Sequence, residues 1–460
     1  MATGSYTPRT TTGSHGSHAE RLIRLPRPSL LPERSSRRRC PVVQLVSLQL
    51  YKTGSSVLVG IAFWRACGLQ VLRSGPACRL LTFPQCVGLL AWGEASKMRI
   101  AQIAPLHECC PPKQYGGTER VVSYLTDELV HLGHDVTLFA CGDSSTPARL
   151  INCADQSLRS NPTVKDPLPY HIMMLDEVCR RADEFDVLHF HTEMLHFPLV
   201  RRLSQRTVTT LHGRLDLPDL KPFYEKFSDV PLVSISLAQR LPMPPVAWAG
   251  NVYHGLPEGL LAFHSVARGG YLAFLGRISP EKRPDRAIEI AVRSGIALKI
   301  AAKVDAVDRA YWDTTIAPLI RRHRNVEYLG EIGEREKGRF LGDARALLFP
   351  IDWPEPFGLA MIESMACGTP VIAFRCGSVP EVVEDGVTGF IVDSMDAAVD
   401  AVRHIGGIDR AGVRRRFVRR FSATRMAQDY VALYNGTKCA PEPARQVAFP
   451  APPAITGLAA

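Results

Sequence analysis

Long hydrophobic runs are missing from this sequence, and their absence excludes a membrane-spanning helix. Among the 460 residues no stretch approaches the ~18–20 uninterrupted apolar residues that cross a bilayer, since Lys52, Arg65, Arg73 and Arg79 interrupt the apolar patches. A secretory signal is also missing, because the first apolar run lies beyond residue 40 and follows a polar lead. We therefore expect a soluble, cytoplasmic protein, and peripheral contact with the inner face of the membrane stays an open alternative.

Metal-binding and dinucleotide-binding motifs are missing as well. The 12 cysteines form no Cys-x-x-Cys pair and no Cys/His ligand spacing. Cys109 and Cys110 are adjacent, but reduced thiols are the simpler interpretation. The pattern Gly-x-Gly-x-x-Gly is absent, which argues against a dinucleotide-binding fingerprint. The sequence therefore predicts no metal site.

Acidic residues are nearly absent from the first fifth of the chain. Residues 1–97 hold 11 Arg and 2 Lys against 3 Glu and no Asp, so they carry the whole net charge of +10, and residues 98–460 are neutral. An Arg-rich, Ser-containing and acid-poor segment is typical of an organellar transit peptide. We favour the alternative that translation starts at Met98, because Met98 opens directly onto an apolar strand, Arg99–Pro105. Both interpretations leave residues 1–97 as a disordered extension, and we expect no nucleic-acid partner.

From Met98 onward, short apolar runs alternate with amphipathic helices, which is typical of a parallel sheet covered on both faces. One series begins at strand Arg99–Pro105 and helix Gly117–Gly133, and a second begins at strand Tyr271–Arg277. The fold class is therefore α/β, with two doubly wound Rossmann-like domains facing a central cleft, where a ligand binds at the carboxyl ends of the strands. We assign residues 98–260 to the N-terminal domain, 261–415 to the C-terminal domain, 416–438 to a C-terminal helix that could return to the N-terminal domain, and 439–460 to a disordered tail.

The end of the folded part is strongly basic. Arg410–Tyr434 has a helical pattern, and five arginines are concentrated in it: Arg414, Arg415, Arg416, Arg419 and Arg420. Such a run usually forms a solvated face, and contact with a membrane surface is the alternative.

Two glycines, Gly116 and Gly117, lie between the first strand and the first helix of the N-terminal domain. Glycine lets backbone N–H groups approach an anion at a helix N-terminus. A tight turn in which Thr118 caps the helix explains the same residues equally well.

Two cationic residues follow the first strand of the C-terminal domain, in Gly276-Arg-Ile-Ser-Pro-Glu-Lys282. Arg277 at the strand end and Lys282 at the helix start can converge on a diphosphate. The guanidinium group binds phosphate as a fork, and the ammonium group acts as a mobile point charge.

Two glutamates, Glu355 and Glu363, flank the predicted start of a helix near Phe357. At a rise of 1.5 Å per residue their carboxylates lie roughly 10 Å apart. That separation is long for the carboxylate pair of a retaining hydrolase, which needs about 5–5.5 Å. It suits two acids that bind hydroxyl groups at opposite ends of an elongated ligand, while the N–H groups of Phe357–Leu359 face an anionic portion.

Two histidines lie at strand ends, His191 in Val-Leu-His-Phe-His and His212 in Thr-Thr-Leu-His-Gly. His212 directly precedes Gly213 in the predicted cleft. A structural role and a catalytic role for His212 stay equally open.

Together these motifs resemble the family-4 retaining glycosyltransferases of the GT-B fold, which are glycogen-synthase-like. The resemblance covers about residues 98–438, and the most specific part is Glu355-Pro-Phe-Gly-Leu-Ala-Met-Ile-Glu363 followed by Met365-Ala-Cys-Gly-Thr-Pro. It implies transfer of a sugar from a nucleotide diphosphate donor to a hydroxyl of a glycan, lipid or small-molecule acceptor, with retention at the anomeric carbon. It also implies no cofactor and no obligatory metal, which agrees with the absence of an Asp-x-Asp arrangement from the sequence.

The resemblance assigns roles to the motif residues by position. Arg277 and Lys282 would neutralise the departing diphosphate. Glu355 and the backbone amides of Phe357, Gly358 and Leu359 would hold the donor sugar, Glu363 would bind the ribose, and the backbone around Ile332 would face the base. Gly116 and Gly117 would border the diphosphate and the acceptor, and His212 would lie near the reacting sugar. The catalytic set is then His212, Arg277, Lys282 and Glu355.

Two other functions share this architecture. A nucleotide-sugar epimerase would need no acceptor, and an inactive nucleotide-sugar-binding protein would bind the donor without turnover. The sequence leaves the nucleotide, the sugar, the acceptor and the linkage open.

Overall fold

The computed structural model describes residues 45–53, 56–63, 97–113 and 116–436 of the chain. The chain divides into two units, Met1–Trp92 and Gly93–Ala460. In the first unit, β1 (Leu45–Thr53) and β2 (Ser56–Phe63) pair antiparallel as a hairpin. The prediction that residues 1–97 are disordered is wrong over these two strands, because both segments are rich in residues that favour extended backbone. The rest of the predicted extension and the predicted tail lie outside the described residues.

The second unit contains a seven-stranded parallel sheet in its N-terminal half. Its strands are β3 (Arg99–Ile103), β4 (Asp135–Cys141), β5 (Arg149–Ala154), β6 (Val187–Phe190), β7 (Thr207–Thr210), β8 (Leu232–Ser234) and β9 (Trp248–Asn251). They lie in the order β5-β4-β3-β6-β7-β8-β9. The helices of this half are α1 (Gly117–His131), α2 (Leu168–Arg180), α3 (Phe197–Val200) and α4 (Leu220–Lys226).

A six-stranded parallel sheet follows in the C-terminal half. Its strands are β10 (Tyr271–Arg277), β11 (Ala297–Lys303), β12 (Val326–Gly330), β13 (Ala346–Phe349), β14 (Val371–Phe374) and β15 (Gly389–Val392), in the order β12-β11-β10-β13-β14-β15. The helices here are α5 (Pro284–Ser294), α6 (Arg309–Tyr311), which continues through a π-helical turn at Trp312–Ile316 into α7 (Ala317–Arg322), α8 (Glu334–Gly342), α9 (Leu359–Ala366), α10 (Val379–Val382), α11 (Met395–His404), α12 (Arg410–Phe421) and α13 (Ala423–Tyr434). The predicted fold class of two doubly wound parallel sheets is confirmed.

Strand register brings the polar strand ends together. The strands β10 and β11 pair in parallel from Tyr271 beside Ala297 to Arg277 beside Lys303. The carboxyl end of a parallel strand is where its loop leaves toward a helix, so ligand-binding side chains collect at that edge. Arg277 therefore lies at the edge that faces the N-terminal sheet.

In the second unit, two strands were not predicted from the sequence, β5 and β9. Both are edge strands of their sheet. Most residues of β5 are exposed or half-buried, so its sequence shows no continuous apolar run. The strand β9 is four residues long, too short to give a period.

The segment Arg410–Tyr434 is helical as predicted, but the structure divides it at Ser422 into α12 and α13. Ser422 has extended backbone, with ψ of 149°, and its side chain accepts a hydrogen bond from the N–H of Arg425 at the start of α13. At this break the backbone crosses residue 256: the Leu256 N–H donates to the Phe421 carbonyl (2.9 Å), and the Ala423 N–H donates to the Leu256 carbonyl (2.8 Å). Tertiary hydrogen bonds therefore interrupt the helix where local propensity does not.

The helix α13 packs against the N-terminal sheet rather than its own domain. Its Tyr430 hydroxyl lies 2.8 Å from Thr210 Oγ1, and its Tyr434 hydroxyl lies 2.7 Å from His189 Nδ1. Thr424 donates to Glu128 of α1 (3.0 Å). The chain thus passes between the two halves twice, once near Leu256 and once at Ser422.

The basic helix α12 is largely paired within the protein. Arg414 donates to the carbonyls of Ala366 and Glu258, and both Arg416 and Arg420 contact Glu384. Among the described residues, no helix has the length and apolar character that crossing a membrane requires.

The crossing at residues 255–256 predicts a strong effect of a small substitution. A Cβ atom at Gly255 would lie 2.3 Å from the Ser422 carbonyl oxygen, and backbone cannot yield as a side chain can. We expect Gly255→Ala to lower the free energy of unfolding by about 1–3 kcal/mol, the usual cost of overpacking. Thermal unfolding checks this, with Gly259→Ala as the matched control, since nothing lies within 4 Å of a Cβ there. Equal melting temperatures for the two variants would contradict the prediction.

Candidate active site

The carboxyl ends of the two sheets border one cleft of about 740 Å³. It is lined by residues from both halves of the second unit. Every site residue predicted from the sequence lines it: Gly116, Gly117, His212, Arg277, Lys282, Ile332, Glu355, Phe357, Gly358, Leu359 and Glu363. The fold therefore brings together residues separated by almost 250 positions in sequence.

Lys282 and Glu355 form an ion pair in this cleft. Lys282 Nζ contacts Glu355 Oε2, and the indole N–H of Trp353 donates to the same oxygen at 3.0 Å. The ammonium group also lies 4.8 Å from the centroid of the Trp353 ring, a favourable cation–π distance. These contacts hold both charged groups in place, with the side chain of Glu355 only 10% exposed.

Arg277 is surrounded by carboxylates. It contacts Glu281 at 2.5 Å, Asp308 at 3.2 Å and Asp305 at 3.9 Å. Lys303, its neighbour in the sheet, pairs with Asp305 at 3.0 Å. An anion that binds Arg277 must therefore compete with acidic side chains that already compensate its charge.

Glu363 belongs to an ionic chain that joins the two halves. Its Oε1 accepts a hydrogen bond from Lys337 at 2.7 Å, and Lys337 lies 3.6 Å from Glu334. Glu334 in turn contacts Arg120, which lies in the first turn of α1. The side chains of Arg120 and Glu363 are 8% and 6% exposed, so this chain lies in a poorly hydrated part of the cleft.

The segment before α9 turns sharply at Gly358. Its φ of +82° is left-handed, and a Cβ there would lie 2.7 Å from Met361 Cε and 3.0 Å from Phe349 Cζ. The helix begins at Leu359, two residues later than the expected start near Phe357, because the left-handed Gly358 takes the N-cap position. The Phe357 side chain is buried against His254, with ring centroids 4.9 Å apart, so Phe357 can offer only its backbone to a ligand.

The two glycines lie at the opposite wall. A Cβ at Gly116 would approach Pro112 to 2.8 Å, so a larger residue would displace the loop. A Cβ at Gly117 would lie 3.5 Å from Leu359 Cδ1 of the C-terminal half. The loops that carry these motifs therefore approach each other closely across the cleft.

His212 is the end of a buried hydrogen-bonded series. Its Nε2 lies 2.8 Å from His191 Nδ1, and His191 Nε2 lies 2.8 Å from Gln102 Oε1. The His212 ring also stacks on His254 at 5.2 Å. Burial lowers the pKa of His212 to about 3. His212 is therefore neutral at physiological pH and can exchange hydrogen bonds, but it supplies no positive charge.

Several cleft residues were missed by the sequence analysis. Arg120 and Lys337 line the cleft and are linked through Glu334, which lies outside its lining. Trp353 orients Glu355, and Glu193 lines the N-terminal wall. Trp353 could have been found from its position two residues before Glu355. The others carry no local signal, because only the packing of distant segments places them in the cleft.

Within the part of the chain that the structure describes, no group of three or more His, Cys, Asp or Glu residues is arranged to hold a metal ion. The cysteine thiols of this part are all free. The expected independence from metal stays a prediction.

Two family models match the chain, one in each half of the second unit. The model of the glycosyl transferases group 1 matches residues 266–406, and that of Glycosyltransferase Family 4 matches residues 115–240. The first match contains Arg277, Lys282, Glu355 and Glu363, and the second contains Gly116, Gly117 and His212.

Similar curated proteins include the D-inositol 3-phosphate glycosyltransferases of Mycobacterium tuberculosis and Mycobacterium bovis. They are 30% identical to this chain over 161 residues, which is 34% of this chain and 33% of the relative. The match thus spans about a third of the length of these relatives.

Solved structures share the fold over most of the chain. Sucrose-phosphate synthase from Thermosynechococcus elongatus superposes with a TM-score of 0.59 at 18% identity, over 74% of this chain and 98% of that one. AviGT4, a glycosyltransferase involved in avilamycin A biosynthesis, gives 0.56 at 24% identity, over 74% and 97%. HepE from Anabaena, in complex with UDP and glucose, gives 0.56 at 16% identity, over 74% and 99%. At these identities the likeness concerns the fold.

Glu119 predicts how stability depends on pH. It is buried in the first turn of α1, and burial raises its pKa from 4.5 to about 7. The folded protein keeps a proton that the unfolded chain releases, so this group makes the free energy of unfolding fall as pH rises from about 4.5 to 7. We expect Glu119→Gln, which cannot ionise, to lose less stability than wild type between about pH 5 and pH 8. Melting temperatures across that range check this, with the exposed Glu258→Gln as control; parallel curves for Glu119→Gln and wild type would refute it.

Proposed function

Because the chain belongs to the family-4 glycosyltransferases of the GT-B fold, we propose that it moves a sugar from a nucleoside diphosphate donor to an acceptor hydroxyl, with retention at the anomeric carbon. The observation that carries this proposal is the convergence of the donor motifs and the acceptor-side loops on one cleft. Arg277, Lys282, Glu355 and Glu363 come from the C-terminal half, and Gly116, Gly117 and His212 come from the N-terminal half.

The cations of the cleft suit a leaving diphosphate. Breaking the bond between the sugar and the diphosphate develops negative charge on a phosphate oxygen, and fixed positive groups stabilise that charge without reorganising. Lys282 is fixed by Glu355 and Trp353, and Arg277 by Glu281 and Asp308. The N-terminus of α9 at Leu359 adds backbone N–H groups to the same wall.

The two carboxylates, Glu355 and Glu363, suit different parts of the donor. Glu355 lies beside Lys282, so a sugar hydroxyl that binds Glu355 lies next to the departing phosphate. Glu363 is held by Lys337, and it lines the cleft together with Ile332. We propose that Glu363 binds the ribose and that the backbone around Ile332 faces the base. The complex of HepE with UDP-glucose supports a nucleotide sugar as the donor.

Retention requires the acceptor to approach from the face that the diphosphate leaves. The acceptor oxygen bonds to the anomeric carbon, the bond to the phosphate oxygen breaks with its electron pair, and that phosphate oxygen takes the acceptor proton. His212 is a neutral imidazole at the wall of the cleft, and we propose that it lies near the reacting sugar. We propose that the cationic residues take the role of a metal, so that none is obligatory.

Direct assay tests this function. We expect one of UDP-, GDP- and ADP-glucose to protect against thermal unfolding, by about 2.7 kcal/mol at 100 times its Kd. That donor should transfer its sugar to a member of an acceptor panel of D-glucose, myo-inositol, D-inositol 3-phosphate and a short-chain diacylglycerol, and EDTA should leave the rate unchanged. Epimerised donor without acceptor, or protection without turnover, would instead identify an epimerase or a binding protein. Loss of transfer in EDTA, restored by Mg²⁺ or Mn²⁺, would refute metal independence.

Lys282→Ala removes the fixed positive charge beside the diphosphate. We expect kcat/KM to fall by at least about 100-fold, as for loss of a preorganised electrostatic contact. Initial rates at varied donor concentration measure this, with Lys226→Ala, an exposed lysine of α4, as the matched control. Turnover close to wild type would rule out the role of Lys282.

A further inference from the structure

Glu193 lies in the cleft in a strained conformation. It follows β6 by three residues, lines the N-terminal wall and is half-buried. Its φ of +51° is left-handed, which is costly for a residue with a side chain. Such conformations persist where the surrounding structure holds them, and they concentrate at functional sites.

One carboxylate oxygen of Glu193 is fully engaged. Oε1 accepts hydrogen bonds from the backbone N–H groups of His212 (2.9 Å) and Gly213 (3.0 Å). These two bonds fix the orientation of the carboxylate and hold the loop that follows β7. The Glu193 side chain is therefore held in a single orientation in the cleft.

The other oxygen, Oε2, accepts no hydrogen bond from any residue that the structure describes. Glu193 Oε2 is also not one of the fully buried polar atoms that lack a hydrogen-bond partner, so a ligand in the cleft can reach it. No lysine, arginine or histidine of the described chain forms an ion pair with Glu193, in contrast to Glu355 and Glu363, each of which contacts a lysine. A half-buried carboxylate without a cation is stabilised by hydrogen-bond donors, and a hydroxyl group of a ligand in the cleft is such a donor.

The loop that Glu193 holds extends to the donor-side cluster. Arg214, next to Gly213, places its guanidinium group 5.5 Å from the centroid of the Trp353 ring. Trp353 donates to Glu355. Three contacts thus connect Glu193, on the opposite wall, to the residue proposed to hold the donor sugar: the loop N–H groups on Glu193, Arg214 on Trp353, and Trp353 on Glu355.

We infer that Glu193 binds the acceptor, with Oε2 accepting the hydrogen bond of the reacting hydroxyl. This deepens the proposed function and rests on it. Oε1 sets the direction of the carboxylate, and Oε2 orients the acceptor oxygen toward the anomeric carbon. The proton still leaves with the phosphate oxygen, so Glu193 acts by direct contact with the substrate and not by accepting its proton.

Glu193→Gln separates the two oxygens. The amide oxygen of Gln can still accept from His212 and Gly213, while an NH₂ group replaces Oε2 and turns an acceptor into a donor. With the donor and acceptor that give the highest wild-type rate in the panel, we expect KM for the acceptor to rise at least about tenfold, as for loss of a hydrogen bond to a charged group. The donor Kd should be unchanged. Glu225→Gln, an exposed glutamate of α4, is the matched control.

A second measurement uses only the wild-type protein, so it does not depend on the variant folding. The same acceptor without its reacting hydroxyl, used as a competitive inhibitor, should bind at least about tenfold more weakly than the acceptor itself. If the acceptor that lacks the hydroxyl binds as tightly as the acceptor itself, the inference is overturned.

The remaining outcomes are also decisive. Wild-type acceptor kinetics for Glu193→Gln would overturn the role of Oε2, and equal losses of donor and acceptor binding would show that Glu193 only holds the loop. If wild type transfers from none of the three donors to any acceptor, the proposed function fails and this inference with it; if wild type transfers and Glu193→Gln matches it, the inference alone fails.

Discussion

Two segments of backbone cross between the parallel sheets, and the cleft depends on that crossing. Leu256 exchanges hydrogen bonds with Phe421 and Ala423, and Gly255 has no side chain because the Ser422 carbonyl occupies the space. Glu381 of the C-terminal half adds a second link to the N-terminal half. Its carboxylate accepts hydrogen bonds from the N–H groups of Leu237 and Ala238, both at 2.7 Å. The two rows of strand ends therefore face each other at a separation that a ligand can span.

The charges of the cleft are compensated before any ligand binds. Arg277 is paired with acidic residues, Lys282 with Glu355, and Arg120 with Glu334. Such pairing keeps the cations buried at tolerable cost, because an isolated charge in a poorly hydrated site is strongly unfavourable. It also means that an anion binding these cations must take the place of carboxylates that already pair with them.

Much of the candidate site was predictable because its residues lie at the ends of strands. Arg277 ends a strand that the sequence identifies over Tyr271–Arg277, and the structure has the same bounds. A parallel sheet collects such ends at one edge, so strand assignment alone placed Arg277 and Glu355 near each other. His212 follows a strand of the other sheet, and the expected cleft between the domains brought it to the same site. Glu193 was not predicted as a site residue, because the position of its carboxylate depends on a left-handed backbone and on N–H groups from another loop.

The errors of sequence-based prediction have a common cause. The helix over residues 410–434 is broken at Ser422 by hydrogen bonds to Leu256, which lies more than 160 residues earlier in the chain. The edge strands β5 and β9 depend on pairing with a neighbour and not on a buried apolar run. In each case a distant segment decides the local structure.

The sequence by itself determined the two parallel sheets, the neutral charge of residues 98–460 and the motif residues, because apolar periodicity and strand-end position are local properties. Only the tertiary structure decided which charges are paired, where the two halves meet and which carboxylate keeps a free oxygen. Those features arise from contacts between segments far apart in the chain, and such contacts leave no period or spacing in the sequence.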